Sequence, residues 1–89
     1  MRAVVTVTGK DKQGIIAKVS AFLWEKGVNI EDISQTILGE YFAMIMIVDI
    51  SSMTMELSAL ATDCEELGKQ IGMTIYVQHE DIFNAMHSV

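Results

Sequence analysis

The segment Gly9-Lys10-Asp11-Lys12-Gln13-Gly14 joins a β-branched run to a helix-patterned one, and it collects the residues of this chain best suited to holding a small charged molecule. A helix entered from Asp11 to Ile15 leaves its first backbone N–H groups without intrahelical partners, and its dipole favours an anion such as a carboxylate. Asp11 can meet an ammonium group at the same place. Further along, Asn29 offers an amide that both donates and accepts, so one side chain can read both ends of a zwitterion. A turn-favouring Asn at the start of a strand is the plainer reading of the same residue.

Other chemistries fail on residue type. Gly9 and Gly14 have the glycine spacing of a phosphate-cradling loop, but Ile15 and Ile16 stand where such a loop needs Lys and Ser or Thr, which excludes nucleotide hydrolysis. Cys64 is the only cysteine and sits mid-helix, so it suits packing better than reactivity and cannot form an intrachain disulfide or a cysteine-built metal site. His79 and His87 have no partners at ligand spacing. No catalytic residue, metal site or cofactor is expected.

The elements that would position the loop follow from periodicity. Arg2 to Thr8 reads as a strand. Ile15, Ile16, Val19, Phe22 and Leu23 recur at helical spacing, predicting a helix from about Gln13 to Lys26 that Gly27 ends. Trp24 lies off that stripe beside Ala17, Ser20 and Ala21, where an exposed indole over small residues is a good anchor for a partner. Val28 to Leu38 alternates as a strand but changes parity, which a bulge near Glu31-Asp32 would repair. Gly39-Glu40 turns the chain into a strand from Tyr41 to Ile50 that is apolar on both faces, with Phe42, Met44, Met46 and Val48 against Ala43, Ile45 and Ile47. Phe42, Met44 and Met46 are therefore expected at an interface. Leu57, Leu60, Ala61, Cys64, Leu67 and Ile71 mark a second helix, with Thr54 as its expected N-cap and Gly72 at its end. Met73, Ile75 and Val77 alternate as a fourth strand, and Asp81 is expected to cap a short amphipathic tail over 81–89.

The order is β-α-β-β-α-β in one domain over 1–89. It predicts an α+β, ferredoxin-like sandwich: a four-stranded antiparallel sheet with two helices on one face. Acylphosphatases share this order but need an arginine in the first loop, where this chain has only Lys10 and Lys12. RNA-recognition domains share it too, but need aromatics on the inner strands; the first strand has none and the chain is acidic.

Composition sets the remaining bounds. The net charge is −6, yet residues 1–26 carry five basic and two acidic residues, a local +3 near the first loop. The overall acidity argues against non-specific nucleic-acid or membrane binding. Hydrophobic residues make up 51% of the chain, more than a single core of 89 residues can hide, which predicts a homodimer or higher oligomer. No apolar run reaches the ~20 residues of a membrane span, and no signal-peptide pattern opens the chain, so cytoplasmic residence is expected.

Asp11-Lys12-Gln13-Gly14-Ile15-Ile16 followed by Gly27-Val28-Asn29-Ile30-Glu31-Asp32 resembles the first half of an ACT domain. That family shows D-x-P-G-[IVL] entering the first helix and G-x-N-I opening the second strand. Asn29 to Asp32 with Leu38-Gly39 and Phe42 is similar to ACT domains of the glycine-cleavage-system repressor type, and the whole chain is similar to small stand-alone single-ACT proteins. The resemblance implies a non-catalytic regulatory module whose amino-acid ligand lies between the first loop and helix of one protomer and the second strand of its neighbour. By position it points to Asp11, Gln13, Gly14, Ile15, Asn29 and Ile30. Gln13 departs from the family, standing where many members have proline. The alternative is a ligand-free adaptor whose apolar sheet face docks a protein partner.

Overall fold

The computed structural model describes residues 1–10 and 13–87. Asp11, expected at the ligand site, lies outside them. The elements are β1 (Arg2–Gly9), α1 (Ile15–Glu25), β2 (Asn29–Leu38), β3 (Tyr41–Asp49), α2 (Leu57–Ile71), β4 (Thr74–His79) and α3 (Glu80–Met86). The four strands form one antiparallel sheet in the order β2-β3-β1-β4, with the fold of the ferredoxin-like sandwich. β1 and β3 are inner strands and β2 and β4 are edges.

Side-chain parity decides what is buried. Ala3, Val5 and Val7 of β1 share one face of the sheet with Phe42, Met44, Met46 and Val48 of β3. Against that face pack Ile15, Val19 and Leu23 of α1 and Leu60 and Cys64 of α2, each set at the four-residue spacing that lines one side of a helix. Phe42, Met44 and Met46 are therefore core residues, 3%, 0% and 0% exposed, and do not form the partner surface expected of them. The apolar set on the other parity, Ala43, Ile45 and Ile47, faces away from α1 and α2.

Three local expectations are corrected. α1 starts at Ile15 rather than near Gln13, because Gly14 takes a left-handed conformation that ends the preceding turn. α2 starts at Leu57 with Glu56 as its N-cap, not Thr54, because half-buried Met53 and Met55 pack the intervening loop against the core. The tail is a third helix, α3, capped by His79 rather than Asp81: the His79 ring Nδ1 accepts the Asp81 N–H at 3.1 Å. α3 lies on the sheet face opposite α1 and α2. There Gln78 Nε2 reaches Met86 Sδ at 3.2 Å, Arg2 pairs with Glu80 at 2.7 Å, and Val4 is covered to 2% exposure.

The parity change in β2 is resolved by a bulge. Ile30 pairs with Val48 and Asp32 with Ile47, leaving Glu31 as the extra residue. Ile33 and Ile37 then share a face with Met46 and Phe42, yet they are 39% and 51% exposed, because the helices leave the outer side of this edge strand uncovered.

Gly68 fixes the approach of α2 to β4: a Cβ there would lie 2.5 Å from the Met73 carbonyl oxygen and 3.3 Å from the Ile75 nitrogen. Gly68→Ala should gain about 1 kcal/mol of helix propensity yet lower the unfolding free energy by roughly 1–3 kcal/mol net, since backbone must move. Urea denaturation measures this, and a variant at least as stable as the wild type would contradict the close approach.

Candidate functional site

The first half of the site is the entry to α1. Gly14 at φ 72° is its N-cap and makes no side-chain cap hydrogen bond, and no acidic residue sits in the first turn. The Gly14 carbonyl accepts the Lys18 N–H at 3.0 Å, so the N–H groups of Ile15, Ile16 and Ala17 precede the first intrahelical bond. These donors and the positive end of the helix suit a carboxylate. Gln13 and Gly14 are exposed, whereas the Ile15 side chain is in the core and leaves only its backbone to a ligand.

The second half is the start of β2. Asn29 is exposed and opposite Asp49, and Ile30 is half-buried opposite Val48. Beside them opens a groove of about 690 Å³, lined by Trp24 and Glu25 from the end of α1, the turn at Gly27, Asn29, Asp49 and Ser52. Trp24 is 77% exposed. The Asp49 carboxyl is held below its ordinary range chiefly by the Ser51 side chain and then by the Ser51 backbone N–H, with the N-terminal ammonium and Arg2 adding. The backbone N–H bond is 2.8 Å long.

The two halves do not meet within one chain. Gly9, which ends β1 just before the first loop, pairs with Phe42, whereas Asn29 pairs with Asp49. Those positions are seven residue steps apart along β3, about 23 Å at strand spacing. Sequence reasoning selected Asn29 for a ligand and Trp24 for a partner contact, and it did not select Glu25 or Asp49. Counting back from the Gly39-Glu40 turn, with one residue allowed for the bulge, sets Asp49 opposite Asn29, so that signal was present in the sequence.

No three His, Cys, Asp or Glu among the described residues come together to hold a metal ion. No helix among them is long and apolar enough to cross a membrane. His87 stacks on Phe83 with ring centroids 4.1 Å apart, and His79 caps α3. Cys64 is buried, and burial, helped by Asp63 and opposed by Lys26, pushes its thiol up to about 11.

Against known proteins, the family model described as ACT domain matches residues 2–78. A UPF0237 protein of Clostridium acetobutylicum is 51% identical over 89 residues, covering all of both chains. The solved ACT domain protein from Streptococcus pneumoniae superposes with a TM-score of 0.84 at 43% identity, covering 93% of each chain. A putative glycine cleavage system transcriptional repressor shares the fold, with a TM-score of 0.71 at 24% identity over 86% of this chain and 44% of its own.

The raised thiol yields a prediction. A protonated Cys64 supports the fold fully below the ordinary value of 9.0, and that support is lost as pH climbs through about 11. Native protein at pH 8 should therefore not react with a thiol reagent until unfolded in urea, and Cys64→Ala should lose less stability than the wild type between those two pH values. Rapid labelling of the native protein would contradict it.

Proposed function

We propose that this chain, which belongs to the ACT-domain family of regulatory small-molecule-binding modules, works as a cytoplasmic homodimer that senses an amino acid. The observation that carries this reading is the separation of the two half-sites: the entry to α1 and Asn29 lie at opposite ends of the sheet, and one chain cannot bring both to one small ligand.

A two-fold pairing of β2 with the partner's β2 removes the difficulty. β2 is an edge strand, so one row of its backbone N–H and C=O groups has no partner in the sheet. Within the chain β2 runs parallel to β1, and its end at Leu38 lies at the end of the sheet where the first loop begins. Antiparallel pairing across the two-fold sets the start of one β2 beside the end of the other. Asn29 of one protomer then faces the first loop of its partner, and the site forms twice. Ile33 and Ile37, left uncovered by the helices, would be buried by the same contact.

In this arrangement the ligand carboxylate takes the free N–H groups at the entry to α1, and Asn29 of the other protomer reads the zwitterion from across the interface. Gln13 and Gly14 shape the loop, while Ile15 and Ile30 anchor it and β2 to the core. Regulation needs no bond making. A ligand bound across the interface stabilises the dimer geometry it fits, and differential affinity for two arrangements is the whole signal.

The dimer is tested by sedimentation velocity. The wild type should run at twice 9.9 kDa, and Ile37→Asp should run as a folded monomer. A monomeric wild type would sink the shared site. The ligand is tested by a thermal-shift screen of the twenty amino acids. At a hundred times its dissociation constant, a bound amino acid adds roughly 2.7 kcal/mol, an upward shift of several degrees that Asn29→Ala should abolish. A screen in which no amino acid shifts the wild type would instead favour the adaptor reading, which would rest on the exposed Ile45 and Tyr76 of the open sheet face.

A further inference from the structure

We infer that the groove at the start of β2 selects ligands carrying a second positive charge, so that the preferred ligand is a basic amino acid with an ammonium or guanidinium side chain. The inference rests on the shared-site reading above and names the ligand class for that site.

Three independent features of the groove have the same sign. Trp24 presents its indole with 77% of the residue exposed, an unusual position for a large apolar group and a good one for a cation over the ring face. The carboxylates of Glu25 and Asp49 line the groove, and Glu25 forms no ion pair among the described residues. The end of α1 brings the negative pole of the helix to the same place, with no basic residue in its last turn to offset it.

The cations close by in sequence or space are engaged elsewhere or only loosely. Lys26 turns to Asp63 of α2 at 3.3 Å, with its ammonium 5.1 Å from the centre of the Phe22 ring. Arg2 is held by Glu80 at 2.7 Å and by Glu31 at 3.6 Å. The N-terminal ammonium lies 4.0 Å from Asp49 and donates at 2.9 Å to the Ser51 hydroxyl, so it meets one side of one carboxylate and leaves Glu25 and the indole to a ligand.

The size of the groove agrees with this division of labour. A carboxylate and an α-ammonium at the partner's helix entry and Asn29 account for the common part of any amino acid. A groove of about 690 Å³ beside Asn29 is room for a long side chain, and its lining joins the apolar residues Trp24 and Val28, which suit a methylene stem, to the acidic residues Glu25 and Asp49, which suit a cationic end. A neutral aliphatic side chain would desolvate those carboxylates without replacing their interactions.

Trp24 is the only tryptophan, so its fluorescence reports occupancy of the groove directly. The experiment titrates the wild-type protein with lysine, arginine, norleucine and glutamate at matched ionic strength, following Trp24 emission and, in parallel, the melting temperature. Lysine or arginine should change the emission saturably and raise the melting temperature, with norleucine at least tenfold weaker. Glu25→Gln, an exposed and conservative change, should weaken the basic ligand about tenfold and leave norleucine unchanged. If norleucine or glutamate binds as well as lysine, the charge selection is wrong while amino-acid sensing stands. If no amino acid raises the melting temperature, the sensing reading falls, and this inference with it.

Discussion

The unsatisfied outer edge of β2 is the constraint on which the rest of this structure turns. A βαββαβ chain must end its sheet somewhere, and here one edge falls on a strand whose helix-facing side chains, Ile33 and Ile37, the two helices fail to cover. Exposed edges of this kind are commonly blunted with charge or a bulge. The charges on β2, Glu31 and Asp32, are confined to the bulge near its start, and from Ile33 to Leu38 the edge carries none. The strand is therefore open to pairing along most of its length. Ile33, Ile37 and Leu38 on this edge are part of the chain's exposed apolar surface.

Electrostatics follows from the same topology. α1 runs back over the sheet between β1 and β2, so its positive end lies by the first loop and its negative end by Asn29. An antiparallel two-fold at β2, as proposed, would bring the positive end of one α1 towards the negative end of the other. The junction then has opposite polarity across a short span, which complements a zwitterion before any side chain is counted. In the proposed dimer Asn29, Glu25, Asp49 and Trp24 would add selectivity to a field that the backbone supplies. The core contributes differently, since Phe42, Met44 and Met46 lock β3 beneath the helices and so hold the edge strand in register.

Much of this was legible in the residues. Periodicity gave the four strands and the two long helices, and the change of parity in β2 foretold the bulge at Glu31. The resemblance to ACT domains, which the family match over residues 2–78 bears out, is what singled out Gln13, Gly14 and Asn29 for the proposed site. What failed was face assignment in β3, because a strand apolar on both sides offers no polar residues to mark which side faces water. Met44 and Met46 therefore looked like surface when they are core, and Ile45 between them is exposed. Capping failed for a related reason. Thr54 is a better cap than Glu56 in isolation, but burial of Met53 and Met55 fixes where α2 begins, and burial is a tertiary property. Asp49's place opposite Asn29 could be counted from the hairpin, but Glu25 joins it in one groove only once the ends of α1 and β3 are placed side by side.

The central claim is that the first loop and Asn29 meet across two chains and not within one. Its most direct test is cross-linking of two variants that each carry one surface cysteine, Gln13→Cys and Asn29→Cys, mixed and treated with a short bis-maleimide. Buried Cys64 stays out of the reaction in the native state. The account predicts covalent dimers in the mixture that neither variant forms in comparable yield alone, and none from a mixture in which one partner also carries Ile37→Asp. Cross-linking no greater in the mixture than in either variant by itself would contradict it.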